Sequence, residues 1–486
     1  MSAITRIVRS AAMLGILVSS VAIAQTANSA EAVDGRWDAS LTSRGEVIPF
    51  RLDIAGSGPT LKGIFFDGKR PNDGTSSATF EDNKLVLRLD QYETIITATL
   101  QDGKLVGNVT LTSDLFSKKA APKTADAGAS TSEADRLKKI EFQGNPFAIS
   151  AFQAVRHVDT PEVAQADVPK INGSWIIPLS RPSAKGENAF RFIVEQDGAY
   201  VEASILRVDG DTGAYSGTYK DGKWVLSHYD GGRPGVIEVS VAKDGSLEIV
   251  QEGGLANREG SKPAAGGDVA GVKTSGRYDY KLIAYRPDVE QAKGLPQPDD
   301  YATHTGIRNP NEVFKFKFPD DQGRLVSNED ARFKGKVVIA MVTGTWCPNC
   351  HDEAQYLVQL YKKYHDKGLE IVALDFEEPS QQKTLTREKA FIKHYGVQYP
   401  YLIAGNVPEV WEKVPQFINL NSWPTIIFVG RDGKVKATHT GFASPASGEF
   451  YSQLKEEFES TVEKLLSQKA SQDVADSNAV SANAGQ

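Results

Sequence analysis

The pattern of apolar residues changes once along this chain of 486 residues, and the change separates regions that need different folds. Between about residues 30 and 290, short β-type runs alternate with Asp-Gly and Gly-rich turns, which is typical of antiparallel hairpins. From about residue 310, strand patterns alternate with helix patterns, which is typical of an α/β domain. We therefore predict a multidomain chain in which all-β modules precede an α/β domain.

The β-rich region contains the same landmarks twice. Four motifs (Gly-x-Trp, Phe-Arg, Lys-x-Val-Leu and Asp-Gly-x-Leu) recur at a nearly constant spacing, at Gly35 and Gly173, Phe50 and Phe190, Lys84 and Lys223, and Asp102 and Asp244. The constant spacing predicts an internal repeat of two homologous all-β modules, residues 30–160 and 168–290, each a small sandwich or barrel. A polar stretch at residues 117–139 predicts a disordered loop in the first module.

The β modules have no group of residues that predicts chemistry. Their histidines, His157 and His228, are isolated, and Trp37 and Trp175 open strands, where we expect a core or barrel-closing role. The glycine-rich segment 230–235 predicts a turn, because it opens no helix and lacks the Gly-Lys-Ser/Thr ending of a phosphate loop. The sequence predicts a scaffold or binding role for these modules.

The α/β region contains both cysteines of the chain, spaced as Cys347-Pro348-Asn349-Cys350. Residues 336–342 form a continuous apolar run, which predicts a strand buried on both faces. The helix pattern that follows the cysteines has apolar residues at i, i+3, i+4 and i+7 and stops at Gly368. We predict that this domain spans residues 305–467 and that a disordered polar tail follows at residues 468–486.

A cysteine pair between a buried strand and a helix can exchange disulfides. Unpaired N–H groups at the helix start and the helix dipole favour the thiolate of the first cysteine. Cys347 can then attack a substrate disulfide, and Cys350 can resolve the mixed disulfide that results. Pro348 suits the first helical turn, where its missing N–H has no partner to lose.

The motif Trp346-Cys347-Pro348-Asn349-Cys350, together with Trp423-Pro424-Thr425 before a later strand, resembles the thioredoxin fold. A hairpin before the core and a helix at residues 381–395 resemble the TlpA-like thiol–disulfide oxidoreductases over about residues 310–467. The resemblance implies a redox-active disulfide between Cys347 and Cys350, with Trp346 and a cis-proline, Pro424, in support. It also implies an acidic proton acceptor for the resolving thiol, for which Glu378 fits best and Glu377 second.

Other functions use the same residues. Cys347 to His351 also spells the c-type haem attachment motif, but the one methionine outside the predicted signal, Met341, lies in the predicted buried strand. A structural zinc site needs four ligands, and the chain has no second cysteine pair. A peroxiredoxin has proline and threonine where this chain has Ala340 and Gly344. A purely stabilising disulfide would gain little from closing so short a loop. We expect no metal, no cofactor and an exposed His351.

Residues 1–24 have the features of a secretory signal. Arg6 and Arg9 precede a short apolar run, and Ala22-Ile23-Ala24 forms a small-residue cleavage pattern. The signal predicts export, to the periplasm or beyond, and an uncleaved signal would tether the protein to the membrane. The net charge of −7 argues against nucleic-acid binding.

Together these features predict an exported thiol–disulfide oxidoreductase that acts on disulfides or thiols of other exported proteins. A reductase in an oxidising compartment needs electrons from a membrane-borne thiol relay. The alternative is a binding or assembly module whose β pair holds a partner, with peroxiredoxin-like antioxidant activity as a further option.

Overall fold

A computed structural model of the chain describes residues 32–43, 46–72, 74–111, 149–158, 168–251, 268–269, 272–273, 281–378 and 381–468. The predicted signal, the predicted loop at residues 117–139 and the tail beyond residue 468 lie outside the described residues. The described chain has two antiparallel β modules, called module 1 and module 2, followed by a C-terminal α/β domain.

Module 1 is one antiparallel sheet in which consecutive strands are neighbours except β4 and β5, which form its two edges. Its strands are β1 (Gly35–Ser43), β2 (Glu46–Ala55), β3 (Lys62–Asp67), β4 (Arg70–Pro71), β5 (Ser77–Glu81), β6 (Lys84–Leu89), β7 (Thr94–Gln101), β8 (Lys104–Leu111) and β9 (Ile149–Arg156). Their order in the sheet is β4-β3-β2-β1-β9-β8-β7-β6-β5. The first strand therefore pairs with the last, with Trp37 opposite Arg156.

Module 2 repeats this arrangement of consecutive antiparallel strands. Its strands are β10 (Gly173–Pro178), β11 (Ala189–Asp197), β12 (Tyr200–Leu206), β13 (Tyr215–Lys220), β14 (Lys223–His228), β15 (Gly235–Val241), β16 (Leu247–Gln251), the short hairpin β17 (Asp268–Val269) and β18 (Val272–Lys273), and β19 (Lys281–Ala284). The main sheet runs from β10 through β16 to β19. Ile176 and Tyr285 exchange two backbone hydrogen bonds of 2.8 Å, which join its first and last strands. This closure favours the barrel over the sandwich.

The same tryptophan–arginine contact lies where the ends of each module meet. The guanidinium of Arg156 lies 4.2 Å from the Trp37 ring, and that of Arg286 lies 3.8 Å from the Trp175 ring. Each indole N–H donates to the carbonyl four residues earlier, at 2.8 Å in both modules. Each arginine also donates to a backbone carbonyl before its tryptophan, at Asp34 and Asn172.

The C-terminal domain is built on a five-stranded mixed sheet. Its helices are α1 (Pro287–Ala292), α2 (Tyr301–His304), α3 (Pro348–Tyr364), α4 (Gln381–Thr384), α5 (Thr386–Tyr395), α6 (Val410–Lys413) and α7 (Glu449–Ser467). Its strands are β20 (Gly306–Ile307), β21 (Lys317–Pro319), β22 (Leu325–Ser327), β23 (Val337–Thr343), β24 (Leu369–Glu377), β25 (Tyr401–Asn406), β26 (Phe417–Ile418), β27 (Thr425–Val429) and β28 (Val435–Thr440). The sheet order is β25-β24-β23-β27-β28.

The central strand β23 is buried along its whole length, as its continuous apolar run predicts. Alternate residues face two separate cores, one covered by α3, α5 and α7 and the other by the β21–β22 hairpin and α6. The helix predicted at residues 381–395 is interrupted at Leu385, whose φ of +52° lies in the left-handed region. This interruption divides it into α4 and α5.

Hydrophobic side chains of module 2 enter both neighbouring cores. Ile193 and Leu206 belong to the core of the C-terminal domain that includes Phe442 and Leu454. Tyr229 and Val236 belong to the core of module 1. The three parts therefore share continuous apolar packing.

We predict that Arg286→Met lowers the free energy of unfolding by about 1–3 kcal/mol, because it removes a charged hydrogen bond and the contact with Trp175. Arg156→Met in module 1 should cost a similar amount. Arg324→Met is the control, because Arg324 is exposed and pairs only with Asp320 at the surface, where the pair contributes about 0–1 kcal/mol. Urea unfolding of the full chain measures all three, and equal small effects would contradict the structural role of the arginines.

Candidate active site

The two cysteines lie where the sequence predicts, between β23 and α3. Cys347 is the N-cap residue of α3 and Pro348 occupies its first turn. The N–H of Cys350 donates to the Cys347 carbonyl at 3.0 Å, which holds both residues in one tight turn. Both thiols are free, with Cys347 5% exposed and Cys350 fully buried.

Aromatic residues and the proline loop surround Cys347. Its thiol donates to the carbonyl of Trp423 at 3.3 Å, and the peptide bond that follows, before Pro424, is cis. The Trp346 ring lies 5.8 Å from the Trp423 ring, and its indole N–H donates to Phe376 O at 2.8 Å. The structure thus brings Trp346 and Pro424 to the dithiol, as the resemblance implies.

Gly344 leaves room for this arrangement. A Cβ at this position would overlap the indole nitrogen of Trp346 and would lie 2.9 Å from Phe376 O. The threonine that the peroxiredoxin pattern requires here therefore does not fit beside Trp346.

Glu353 is the buried carboxyl nearest the cysteines in sequence, and our sequence analysis missed it. It follows Cys350 by three residues on α3, so both side chains lie on the same side of the helix. Glu353 is fully buried, and neither carboxylate oxygen has a hydrogen-bond partner among the described residues. Burial, followed by the charge of Cys347, raises the pKa of Glu353 well above its usual value. The i+3 spacing from Cys350 was the signal that could have identified it.

The pKa of the Cys350 thiol is also raised well above its usual value. Burial is the main cause, and a hydrogen bond with Cys347, the charge of Cys347 and the charge of Glu353 add to it. The buried thiol therefore needs a neighbouring proton acceptor before it can become a nucleophile.

Glu377 and Glu378 both bind Arg387 of α5. The guanidinium lies 2.6 Å from an oxygen of each carboxylate and donates to Thr345 Oγ1 at 2.9 Å. Glu377 also accepts a hydrogen bond of 2.7 Å from the Thr345 backbone N–H. Both carboxylates therefore bind the Arg387 charge, and Glu377 also binds the loop that precedes Cys347.

The prediction that His351 is exposed is wrong. His351 is 1% exposed, its Nε2–H donates to Thr345 O at 2.8 Å, and its Nδ1 accepts from the Tyr395 hydroxyl at 2.9 Å. Burial is the main cause that lowers the pKa of His351 to about 3. With both ring nitrogens occupied, this histidine does not fit the role of a haem ligand.

Both β modules contact the first turn of α3, and the sequence analysis missed these contacts as well. From module 1, the ring of Tyr92 stacks on His351 with 4.2 Å between centroids. From module 2, Arg233 donates to Asn349 Oδ1 at 3.1 Å and to Asp352 Oδ2 at 2.9 Å. The segment 230–235 is a turn, as predicted, but its arginine reaches the residues between and beyond the cysteines.

No described helix is long and apolar enough to span a bilayer. No three histidine, cysteine, aspartate or glutamate side chains within the described ranges group as a metal site would require.

Comparison with known proteins places the C-terminal third in a recognised class. Residues 310–438 match the AhpC/TSA family. The C-terminal third is thus a thioredoxin-like domain homologous to TlpA-like and ResA-type thiol–disulfide oxidoreductases, which confirms the resemblance seen in the sequence.

Curated proteins of similar sequence include thiol–disulfide oxidoreductases named ResA. The protein from Bacillus thuringiensis subsp. konkukian is 35% identical over 126 residues, 26% of this chain and 65% of that protein. The protein from Halalkalibacterium halodurans is 28% identical over 141 residues, 29% of this chain and 73% of that protein. The chain thus spans 65% of the length of the first of these relatives. A solved structure, a putative thiol:disulfide interchange protein DsbE from Chlorobium tepidum, is 20% identical with a TM-score of 0.26, covering 32% of this chain and 99% of that one.

The buried His351 predicts a specific loss of stability in acid. Its folded pKa of about 3 lies below the usual ~6.5 of an unfolded histidine, so the unfolded chain binds an extra proton between these values. Stability from this group is complete above about pH 6.5 and is lost as the pH falls. Between pH 7 and pH 5 the wild-type chain should lose about 2 kcal/mol more than His351→Gln, measured by urea unfolding. Equal losses in both proteins would contradict a buried neutral histidine.

Proposed function

We propose that the chain is an exported thiol–disulfide oxidoreductase that exchanges disulfides with cysteines of other exported proteins. The supporting observation is the position of Cys347 at the N-cap of α3, with its thiol beside the carbonyl that precedes cis-Pro424 and with Cys350 one turn further on. The ResA proteins of similar sequence are thiol–disulfide oxidoreductases, which supports the same reaction class for this domain.

In the first step, Cys347 acts as the nucleophile. Its thiolate attacks one sulfur of the substrate disulfide, a new bond forms between that sulfur and Cys347 Sγ, and the other substrate sulfur leaves as a thiolate. Cys347 lies at the N-terminal end of α3, where the positive end of the helix dipole favours a negative charge before the attack. Trp346 and Pro424 border the sulfur and orient the substrate backbone.

In the second step, Cys350 resolves the mixed disulfide. Its thiol loses a proton, its sulfur attacks Cys347 Sγ, and the substrate sulfur leaves as the second thiolate. The chain ends with a Cys347–Cys350 disulfide, and the substrate disulfide has gained two electrons.

Glu353 is proposed as the proton acceptor for Cys350, in place of Glu378 or Glu377. Its oxygens have no hydrogen-bond partner among the described residues, so they are available to receive the proton. Its raised pKa also brings it closer to that of the thiol. The carboxylates of Glu377 and Glu378 are instead held by the Arg387 guanidinium, 2.6 Å from an oxygen of each.

The direction and place of the reaction are further parts of the proposal. We propose reduction, in which a membrane-borne thiol relay returns two electrons to the Cys347–Cys350 disulfide after each turnover. Export rests on the signal pattern of residues 1–24, which lie outside the described residues. The periplasm is the expected compartment, and an uncleaved signal would tether the chain to the membrane.

The two β modules are proposed to be copies of one unit, at residues 30–160 and 168–290, ahead of the redox domain at residues 305–467. The matched Trp37–Arg156 and Trp175–Arg286 contacts support a common origin. So does the shared order of consecutive antiparallel strands in which the first strand meets the last.

Cys347→Ser should abolish reduction of a disulfide-containing peptide by dithiothreitol-reduced protein, because the nucleophile is lost. Cys350→Ser should instead accumulate a covalent complex between Cys347 and the peptide, because the resolving thiol is lost. Mass spectrometry of the non-reduced protein detects the complex. Turnover that persists in Cys347→Ser would contradict the assignment.

Glu353→Gln should slow resolution of the mixed disulfide by about a hundredfold or more, because a positioned proton acceptor contributes at least that much. Stopped-flow measurement of peptide thiol release gives the rate. The wild-type rate should rise with pH as Glu353 ionises, and the variant should lack this rise. Glu378→Gln is the matched control and should keep both the rate and the pH profile, so the opposite pattern would assign the proton to Glu378.

A further inference from the structure

A turn of module 2 lies against the first turn of α3 and the loop beside Pro424. We call the turn Arg207–Asp211 and the side chain of Arg233, taken together, the module 2 wall. The carbonyl of Asp209 accepts a hydrogen bond of 2.7 Å from the Asn349 side chain, which lies between the two cysteines. The wall thus contacts the residue that separates the nucleophile from the resolving thiol.

Two glycines permit the close approach of the turn. A Cβ at Gly210 would lie 2.5 Å from Phe442 O and 2.7 Å from the Asn349 amide nitrogen. A Cβ at Gly441 would overlap Val208 O. Gly441 itself donates a backbone hydrogen bond of 2.7 Å to Pro424 O, so the turn packs directly beside the proline loop.

Buried polar contacts attach the wall to the C-terminal domain. Asp211 accepts hydrogen bonds of 2.7 Å from the Ser444 N–H and of 2.7 Å from the Ser447 hydroxyl. Arg233 is held by Asp352 on α3 and by Asp230 on its own module. Lys185 forms an ion pair with the Asp209 carboxylate, which attaches the turn to the rest of module 2.

The packing around the wall favours a fixed position over a hinged one. Domains of one chain move relative to one another unless their interface is large and hydrophobic. Here Leu206, the residue before the turn, belongs to the same hydrophobic core as Phe442 and Leu454. Opening the wall would expose this core and leave Asp211 and Arg233 without their buried partners, which is costly.

We infer that the module 2 wall is a permanent barrier on one side of the cysteine pair that restricts the substrate to small disulfides and to disulfides in extended, flexible segments. A folded protein cannot approach Cys347 from the side that the wall occupies. This inference rests on the proposed function for its substrate class, but the steric restriction itself does not depend on turnover.

The test measures access to Cys347 in the full chain carrying Cys350→Ser, in which Cys347 is the only thiol. One probe is a maleimide on an unstructured peptide of ten residues, and the other is the same maleimide, on the same linker, coupled to a small globular protein. Mass spectrometry follows the labelling rates. The peptide probe should react at least about tenfold faster than the globular probe, after correction for their rates with free glutathione.

Two variants should remove the restriction and one should not. Arg233→Ala removes the side chain of the wall that contacts Asn349 and Asp352, and Asp211→Ala removes the hydrogen bonds that attach the turn to Ser444 and Ser447. Either should bring the two labelling rates to within about threefold of each other. Arg70→Ala is the matched control: Arg70 also joins a β module to the C-terminal domain, through Pro445 O at 2.8 Å, but does not contact the wall.

Equal labelling by both probes in the parent protein would overturn the inference. So would a restriction that survives in both the Arg233→Ala and Asp211→Ala proteins, or one that Arg70→Ala removes equally well. A parallel assay with the Cys350 thiol restored compares reduction of a peptide disulfide with reduction of a disulfide in a folded protein. Failure to reduce either would contradict the proposed function, whereas the labelling ratio still decides the inference.

Discussion

The contact of both β modules with the first turn of α3 is the interaction on which the rest of the site depends. Tyr92 from module 1 covers His351, and Arg233 from module 2 binds Asn349 and Asp352. The turn carrying the cysteines is therefore buried by residues from three parts of the chain. Cys347 itself is 5% exposed and packs in the core of the C-terminal domain that includes Trp423.

Burial of this turn also affects which of the nearby ionisable groups hold a proton. His351 stays neutral because both ring nitrogens are bonded and its ring is covered. Glu353 and Cys350 hold their protons more tightly because burial penalises their charged forms. Glu377 and Glu378, by contrast, lie against the Arg387 guanidinium. Glu353 is thus placed to accept a proton from Cys350, whereas Glu377 and Glu378 bind Arg387, which also donates to Thr345 in the preceding loop.

The position of the cysteine pair could be predicted from the sequence because its signals are local: a continuous apolar run, a proline at the helix start and a helical repeat. The repeated Gly-x-Trp landmarks likewise correspond to strand starts in both modules. The contacts of Arg233 and Tyr92 could not be predicted, because they join residues far apart in the chain and a turn motif does not indicate its tertiary partner. His351 was misjudged for the same reason: its helix position looked exposed until the modules covered it. The position of Glu353 near Cys350 could have been predicted from the sequence, because it depends only on their spacing along one helix.

The most direct test of the account is a redox titration of the full chain against glutathione, with thiols trapped and counted at each potential. The chain has two cysteines, so every thiol that reacts belongs to the proposed pair. The account predicts one reversible two-electron transition in which both thiols of each chain disappear together to form an internal Cys347–Cys350 disulfide. Loss of a single thiol per chain, disulfides that link two chains, or no reversible transition would contradict it.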